Sequence, residues 1–141
     1  MQQLKQRYET YVGEALEIRK KAGPLAGILG LGNGPQDDPK HVVFYEDVQR
    51  WVAAFLETQP DAAASFEAAR FLICAPVELG QEDSYWMMYA AQGHARELLP
   101  RLTTENCAYL RDFYDEHYPK KDRMPVQKEI YKRLKKGAGG R

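Results

Sequence analysis

Apolar side chains recur at helical intervals along almost the whole chain. Leu4, Tyr8, Tyr11, Val12, Ala15 and Ile18 follow the three-and-four spacing that lines one face of an α-helix. A first helix is therefore predicted from about residue 2 to 22, stopped by Gly23-Pro24. Asp38-Pro39 supplies a capping residue followed by a proline in the first turn, which opens a second helix to about Glu57. Its buried stripe is expected at Phe44, Val48, Trp51, Val52 and Phe55, flanked by Tyr45 and Leu56. Gln59-Pro60-Asp61 starts a third helix through Phe66, Ala69, Leu72 and Ile73, ending near Ala75-Pro76.

A short connection leads to a fourth helix from about Ser84. Its first turns, "YWMMYAA", are apolar on every side, as suits an element surrounded by others, and Pro100 ends it. Thr103 caps a fifth helix carrying Cys107, Leu110, Phe113, Tyr114 and His117, stopped at Tyr118-Pro119. Pro125 opens a sixth that should dock through Val126, Ile130 and Leu134. No segment alternates in the manner of a strand, and no unit repeats at a fixed period. The predicted fold is all-α: one compact bundle of about six helices over residues 1–136, the third and fourth innermost. Residues 137–141 are expected to form a flexible tail.

The segment between the first two helices, "GPLAGILGLGNGP", holds five glycines among leucines and an isoleucine. Arg19, Lys20 and Lys21 followed by Leu25 to Leu31 imitate a secretory signal. The run is short and interrupted by glycine, and no convincing cleavage site follows it, so none is expected. A dinucleotide fingerprint needs GxGxxG between a strand and a helix. Gly30, Gly32 and Gly34 give GxGxG after a helix, and Pro35 has no amide hydrogen to offer. The expected role is packing: Leu25, Ile28, Leu29 and Leu31 turn inward while the glycines take unusual backbone angles. An interface edge that includes Asn33 is the functional alternative.

The 141 residues suit one domain with its own core. At 44% hydrophobic and 28% charged the composition is that of a globular chain. Formal net charge is zero, but it is unevenly distributed. Residues 1–100 carry nine basic and fourteen acidic side chains, net −5, and residues 101–141 carry eleven and six, net +5. Cys74 and Cys107 stand apart in apolar helical settings, as buried free thiols in a reducing cytoplasm would. No apolar run approaches the roughly 20 residues that cross a bilayer, and no membrane role is expected.

Candidate chemistry is sparse. Asp37, Asp38 and His41 form a possible polar site, because a first-turn histidine tends to stay neutral beside the positive helix end. The simpler expectation is two capping residues and a solvent-facing histidine. His94 and Glu97 lie one turn apart, in reverse order to the Glu-x-x-His of di-iron bundles and present once only. Neither cysteine has a histidine nearby, and Ser65 and Ser84 are the only serines. No catalytic residue, cofactor or metal is nominated. In "PKKDRMPVQKEIYKRLKK", eight basic residues, Lys120, Lys121, Arg123, Lys128, Lys132, Arg133, Lys135 and Lys136, meet only Asp122 and Glu129. Lys128, Lys132, Arg133, Lys135 and Lys136 are the candidate basic surface, and Tyr118 and Tyr131 are placed to stack on bases.

The expected function is that of a small, non-enzymatic, cytoplasmic helical module that binds a protein partner or itself, using outward aromatic side chains. A nucleic-acid accessory role through the basic terminal helix is the second reading. A metal-dependent enzyme around His41 is the third. If Ile28 packs inward, Ile28→Asp should lower stability by about 2–4 kcal/mol, since an unpaired charge is buried. Denaturant unfolding checks this, and an equally stable variant that loses self-association would make the loop an interface instead.

Overall fold

The structure, a computed structural model, describes residues 1–22, 39–80 and 92–139, and for 15–22 the backbone alone. The described residues are helical, without strands. They form five α-helices: α1 (Gln2–Ala22), α2 (Pro39–Glu57), α3 (Ala62–Glu78), α4 (Thr104–His117) and α5 (Pro125–Gly137). Single 3-10 turns lie at Gly93–Glu97, Leu99–Arg101 and Lys120–Asp122. No helix among the described residues is long and apolar enough to cross a membrane.

The all-α class holds, but the expected six-helix count does not carry over to the described residues. Most of the expected fourth helix, and the glycine-rich segment with Leu25, Ile28, Leu29, Leu31 and Asn33, lie outside them. Where that helix was expected to end, residues 93–101 form two 3-10 turns instead. Gly93 is a poor α-helix former, and Pro100 cannot donate to a preceding carbonyl, so short three-residue turns suit this stretch better.

The chain divides into two compact units, Met1–Trp51 and Val52–Arg141. In the first, Leu4, Tyr8 and Tyr11 of α1 and His41, Phe44 and Val48 of α2 are all buried. Tyr11 stacks on Phe44 with ring centroids 3.9 Å apart, and Tyr8 meets Phe44 edge-on at 5.6 Å. The Arg7 guanidinium lies over the same Phe44 ring and donates through Nε to Asp47 Oδ2 at 2.8 Å. That hydrogen bond holds the Asp47 carboxyl below its ordinary range.

In the second unit α3 is the buried element, with Ser65, Ala68, Ala69 and the whole run from Leu72 to Pro76 inaccessible. Asp61 caps it, accepting from the Ala64 amide at 2.8 Å. The helix, expected to end near Ala75-Pro76, runs on through the proline to Glu78. A proline ring removes one backbone hydrogen bond and crowds the preceding turn. Here the carbonyl that loses its helical donor is that of Leu72, in a buried turn.

Thr103 caps α4 by exchange with Asn106: Thr103 Oγ1 accepts from the Asn106 amide, and Asn106 Oδ1 accepts from the Thr103 amide. α5 buries Gln127, Ile130 and Leu134. Ile130 and Leu134 are buried as expected, but Val126 is only half-buried and Gln127 takes the inward place in the first turn.

The last turn of α5 runs very close to α4. A Cβ built on Gly137 would lie 2.6 Å from Cys107 Sγ and 3.3 Å from its Cβ. Only glycine permits this approach with Cys107 buried. Gly137→Ala should therefore destabilise the protein by about 1–3 kcal/mol, the usual cost of overpacking, although alanine is the better helix former. Paired Gly137→Ala and Cys107→Ala variants test the cause by denaturant unfolding. Relief of the defect in the double variant identifies the clash, and an undiminished defect refutes it.

Candidate functional site

The basic segment that stood out in the sequence folds into two different environments. Lys120, Lys121, Arg123, Lys128 and Tyr131 line an open cleft of about 620 Å³. It is built from the 119–124 connection and the first two turns of α5. Pro119 and Pro125 bracket that connection, and each holds the residue before it in extended backbone. The chain can thus leave α4, make one 3-10 turn and enter α5 within seven residues.

Arg123 anchors the cleft. Its side chain is only 5% exposed, unlike the exposed lysines around it. Nε donates to the Tyr118 carbonyl at 2.9 Å and Nη2 to the Tyr114 carbonyl at 3.3 Å. Both carbonyls belong to the end of α4, where the helix dipole favours a cation. The guanidinium carbon sits 4.2 Å from the Tyr131 ring centroid and 5.6 Å from that of Tyr114. Asp115 lies 3.6 Å from Nη2, and its hydrogen bond to the Tyr131 hydroxyl pushes that phenol above its ordinary pKa. Nη1 makes no hydrogen bond among the described residues and is not sealed from solvent.

Behind Arg123 lies a buried polar network. The Ile73 carbonyl accepts from Gln92 Nε2 at 3.3 Å and from the Tyr118 hydroxyl at 2.7 Å. Gln92 Oε1 accepts in turn from the Tyr114 hydroxyl at 2.6 Å and from Gln127 Nε2 at 3.3 Å. Gln127 Oε1 takes the Met124 amide at 2.9 Å, fixing the start of α5. Tyr114 and Tyr118, which supply the two carbonyls under Arg123, are thereby held by their hydroxyls. Burial drives the Tyr114 phenol well above its ordinary pKa, so it stays a donor.

Of the candidate basic surface, Lys128 alone lines this cleft. Lys132 and Lys135 are exposed further along α5. Arg133 donates to Glu129 at 2.8 Å, and Arg96 donates to the other oxygen of the same carboxylate at 2.8 Å. Glu129 is thus held ionised by two guanidinium groups, and Arg133 belongs to that pairing. Arg133 and Lys136 flank a separate hollow of about 520 Å³ floored by Leu99, Leu102 and Cys107. Sequence reading included Lys120, Lys121 and Arg123 in the basic run but gave Arg123 no special place, and it overlooked Gln92 and Gln127 entirely. A glutamine three residues into a proline-led helix was the available signal for Gln127.

The base-stacking expectation is not met by Tyr118, and Tyr131 is half-buried. Tyr118 is buried with its hydroxyl on Ile73, and one face of Tyr131 carries Arg123. Outward aromatic side chains are likewise scarce: among the described aromatics Tyr109 is exposed, at 47%, and it packs beside Arg70 and Phe66.

The polar site expected around His41 also changes. Asp37 and Asp38 lie outside the described residues. His41 is buried rather than solvent-facing, because α2 turns its His41, Phe44 and Val48 face inward. Its Nδ1 is 2.5 Å from the Tyr11 hydroxyl. His94 is buried within a 3-10 turn and Glu97 is exposed. Among the described residues no group of three or more His, Cys, Asp or Glu could hold a metal ion. Both cysteines are free and buried, and burial pushes the Cys74 thiol up to about 12. Comparison with models of known protein families, with curated proteins and with solved structures gives no match.

Gln92→Leu strips partners from the Ile73 carbonyl, the Tyr114 hydroxyl and the Gln127 amide together. It should cost about 2–4 kcal/mol, against about 1 kcal/mol for Tyr118→Phe, which leaves Gln92 on the same carbonyl. Urea midpoints of the two variants check the order, and equal costs would contradict the central place of Gln92.

Proposed function

We propose that this protein is a helical protein-interaction module that docks an acidic segment of a partner in the Lys120–Lys128 cleft. The observation that carries the reading is that three lysines line the same cleft as one fixed arginine. Lys120, Lys121 and Lys128 make no ion pair or hydrogen bond through their side chains among the described residues. Asp115 offsets only part of the Arg123 charge. Cations gathered in a cleft focus field on whatever enters it and speed encounter with an oppositely charged surface. The pinned Arg123 adds a planar donor whose side-chain freedom is already lost.

A nucleic-acid role is the second reading, and one observation favours it. Lys128, Lys132 and Lys135 fall on one side of α5 and continue the cleft's charge for about 10 Å along the helix. Burial of Tyr118 and the covered face of Tyr131 weigh against it, since single-stranded binding draws much of its energy from aromatic stacking.

Fluorescence anisotropy with a glutamate-rich peptide and with a single-stranded oligonucleotide separates the readings. Peptide binding should weaken by about tenfold or more on reversing Lys120, Lys121 and Lys128 to Glu, with the melting temperature retained. Oligonucleotide binding should stay in the nonspecific range of about 10⁻⁴–10⁻⁶ M at physiological salt. Submicromolar oligonucleotide binding, lost on reversal of Lys128, Lys132 and Lys135, would put the second reading first.

A further inference from the structure

We infer that the group this cleft takes is a phosphoryl group on the partner, so that docking is switched by phosphorylation of an acidic segment. The inference rests on the reading of the cleft as a docking site and names its ligand chemistry. Four cationic side chains line one space, with Asp115 beside Arg123 and Asp122 on the same turn as Lys120 and Lys121. Carboxylates spaced along a peptide bring one charge each and are best met by cations spread along a groove. A phosphate monoester instead concentrates a charge of about −1.5 to −2 on three acceptor oxygens at one point.

The geometry of Arg123 matches that point. Its Nε and Nη2 are committed to the Tyr118 and Tyr114 carbonyls, and its plane is set by Tyr131. Nη1 remains for a further acceptor and is held in one orientation, so it donates to a phosphoryl oxygen with little side-chain freedom left to lose, although the Nε–Nη2 fork is already taken by the carbonyls. Lys120 and Lys121 come from the 3-10 turn and Lys128 from α5, so they approach from two elements. At about 620 Å³ the space exceeds a phosphoryl group alone. The Tyr131 ring and the lysine stems offer an apolar wall for the side chain that bears it. Nucleic-acid phosphodiesters carry one charge each and would leave most of this focused charge unmatched.

The test uses two degenerate peptide pools, identical except for a central phosphorylated or unmodified Ser, Thr or Tyr, with the full-length protein at about 150 mM salt. The phosphorylated pool should bind about tenfold tighter, and the preference should shrink below pH about 6 as the phosphoryl group becomes a monoanion. The exposed triple substitution Lys120→Gln, Lys121→Gln, Lys128→Gln should abolish the preference at unchanged melting temperature. Titration with phenyl phosphate should move the Arg123 side-chain NMR resonances.

Equal binding of both pools overturns the phosphoryl inference and leaves the acidic-segment reading standing. Binding of neither pool overturns both. An oligonucleotide that displaces the phosphopeptide at lower concentration than the peptide itself overturns the inference in favour of nucleic acid. Unmoved Arg123 resonances overturn it as well.

Discussion

The arrangement of the Val52–Arg141 unit depends on one buried backbone carbonyl, that of Ile73. It lies in the buried run of α3, one residue after Leu72, whose carbonyl is the one that loses its helical donor to Pro76. A buried carbonyl must find donors or destabilise the fold. Gln92 and Tyr118 supply them from two other parts of the chain. Each then recruits further partners, Tyr114 and Gln127 through Gln92, and Arg123 through the Tyr118 carbonyl. The Ile73 carbonyl thus stands at one end of a polar network reaching α4 and α5.

That network explains how an arginine can sit almost fully buried. Removing a guanidinium from water is costly unless its donors are met and its charge is balanced. Two carbonyls at a helix end, two aromatic faces and a nearby carboxylate meet those needs for Arg123. The lysines around it have no such engagement, so the cleft combines one rigid cation with three adaptable ones. Elsewhere on α5 the charge is spent differently. Glu129 holds both Arg96 and Arg133, which ties α5 to the 93–97 turn instead of offering cations outward.

The Met1–Trp51 unit follows another logic. Its interior is aromatic, with Phe44 meeting Tyr8, Tyr11 and the Arg7 guanidinium at once. His41 joins that interior because residues 41, 44 and 48 share a face of α2, a consequence of helical spacing that its place close behind two aspartates in the sequence obscured. A histidine three positions before a buried phenylalanine carries the same facing as the phenylalanine.

The sequence by itself determined where most helices begin and end, because those decisions are local. Pro39 and Pro125 in first turns, the Asp61 and Thr103 caps and the 3.6-residue apolar rhythm each act within a few residues of chain. It determined the all-α class for the same reason, along with the basic character of residues 101–141. Tertiary structure alone decided which basic residues converge, which are neutralised by Glu129, and which tyrosines are withdrawn from the surface. Those outcomes depend on contacts between residues tens of positions apart, such as Ile73 with Tyr118 or Arg96 with Glu129. It also decided that α3 passes through Pro76. A proline's local cost is fixed by its ring, but whether a helix bears that cost depends on how much burial the surrounding fold gives that helix.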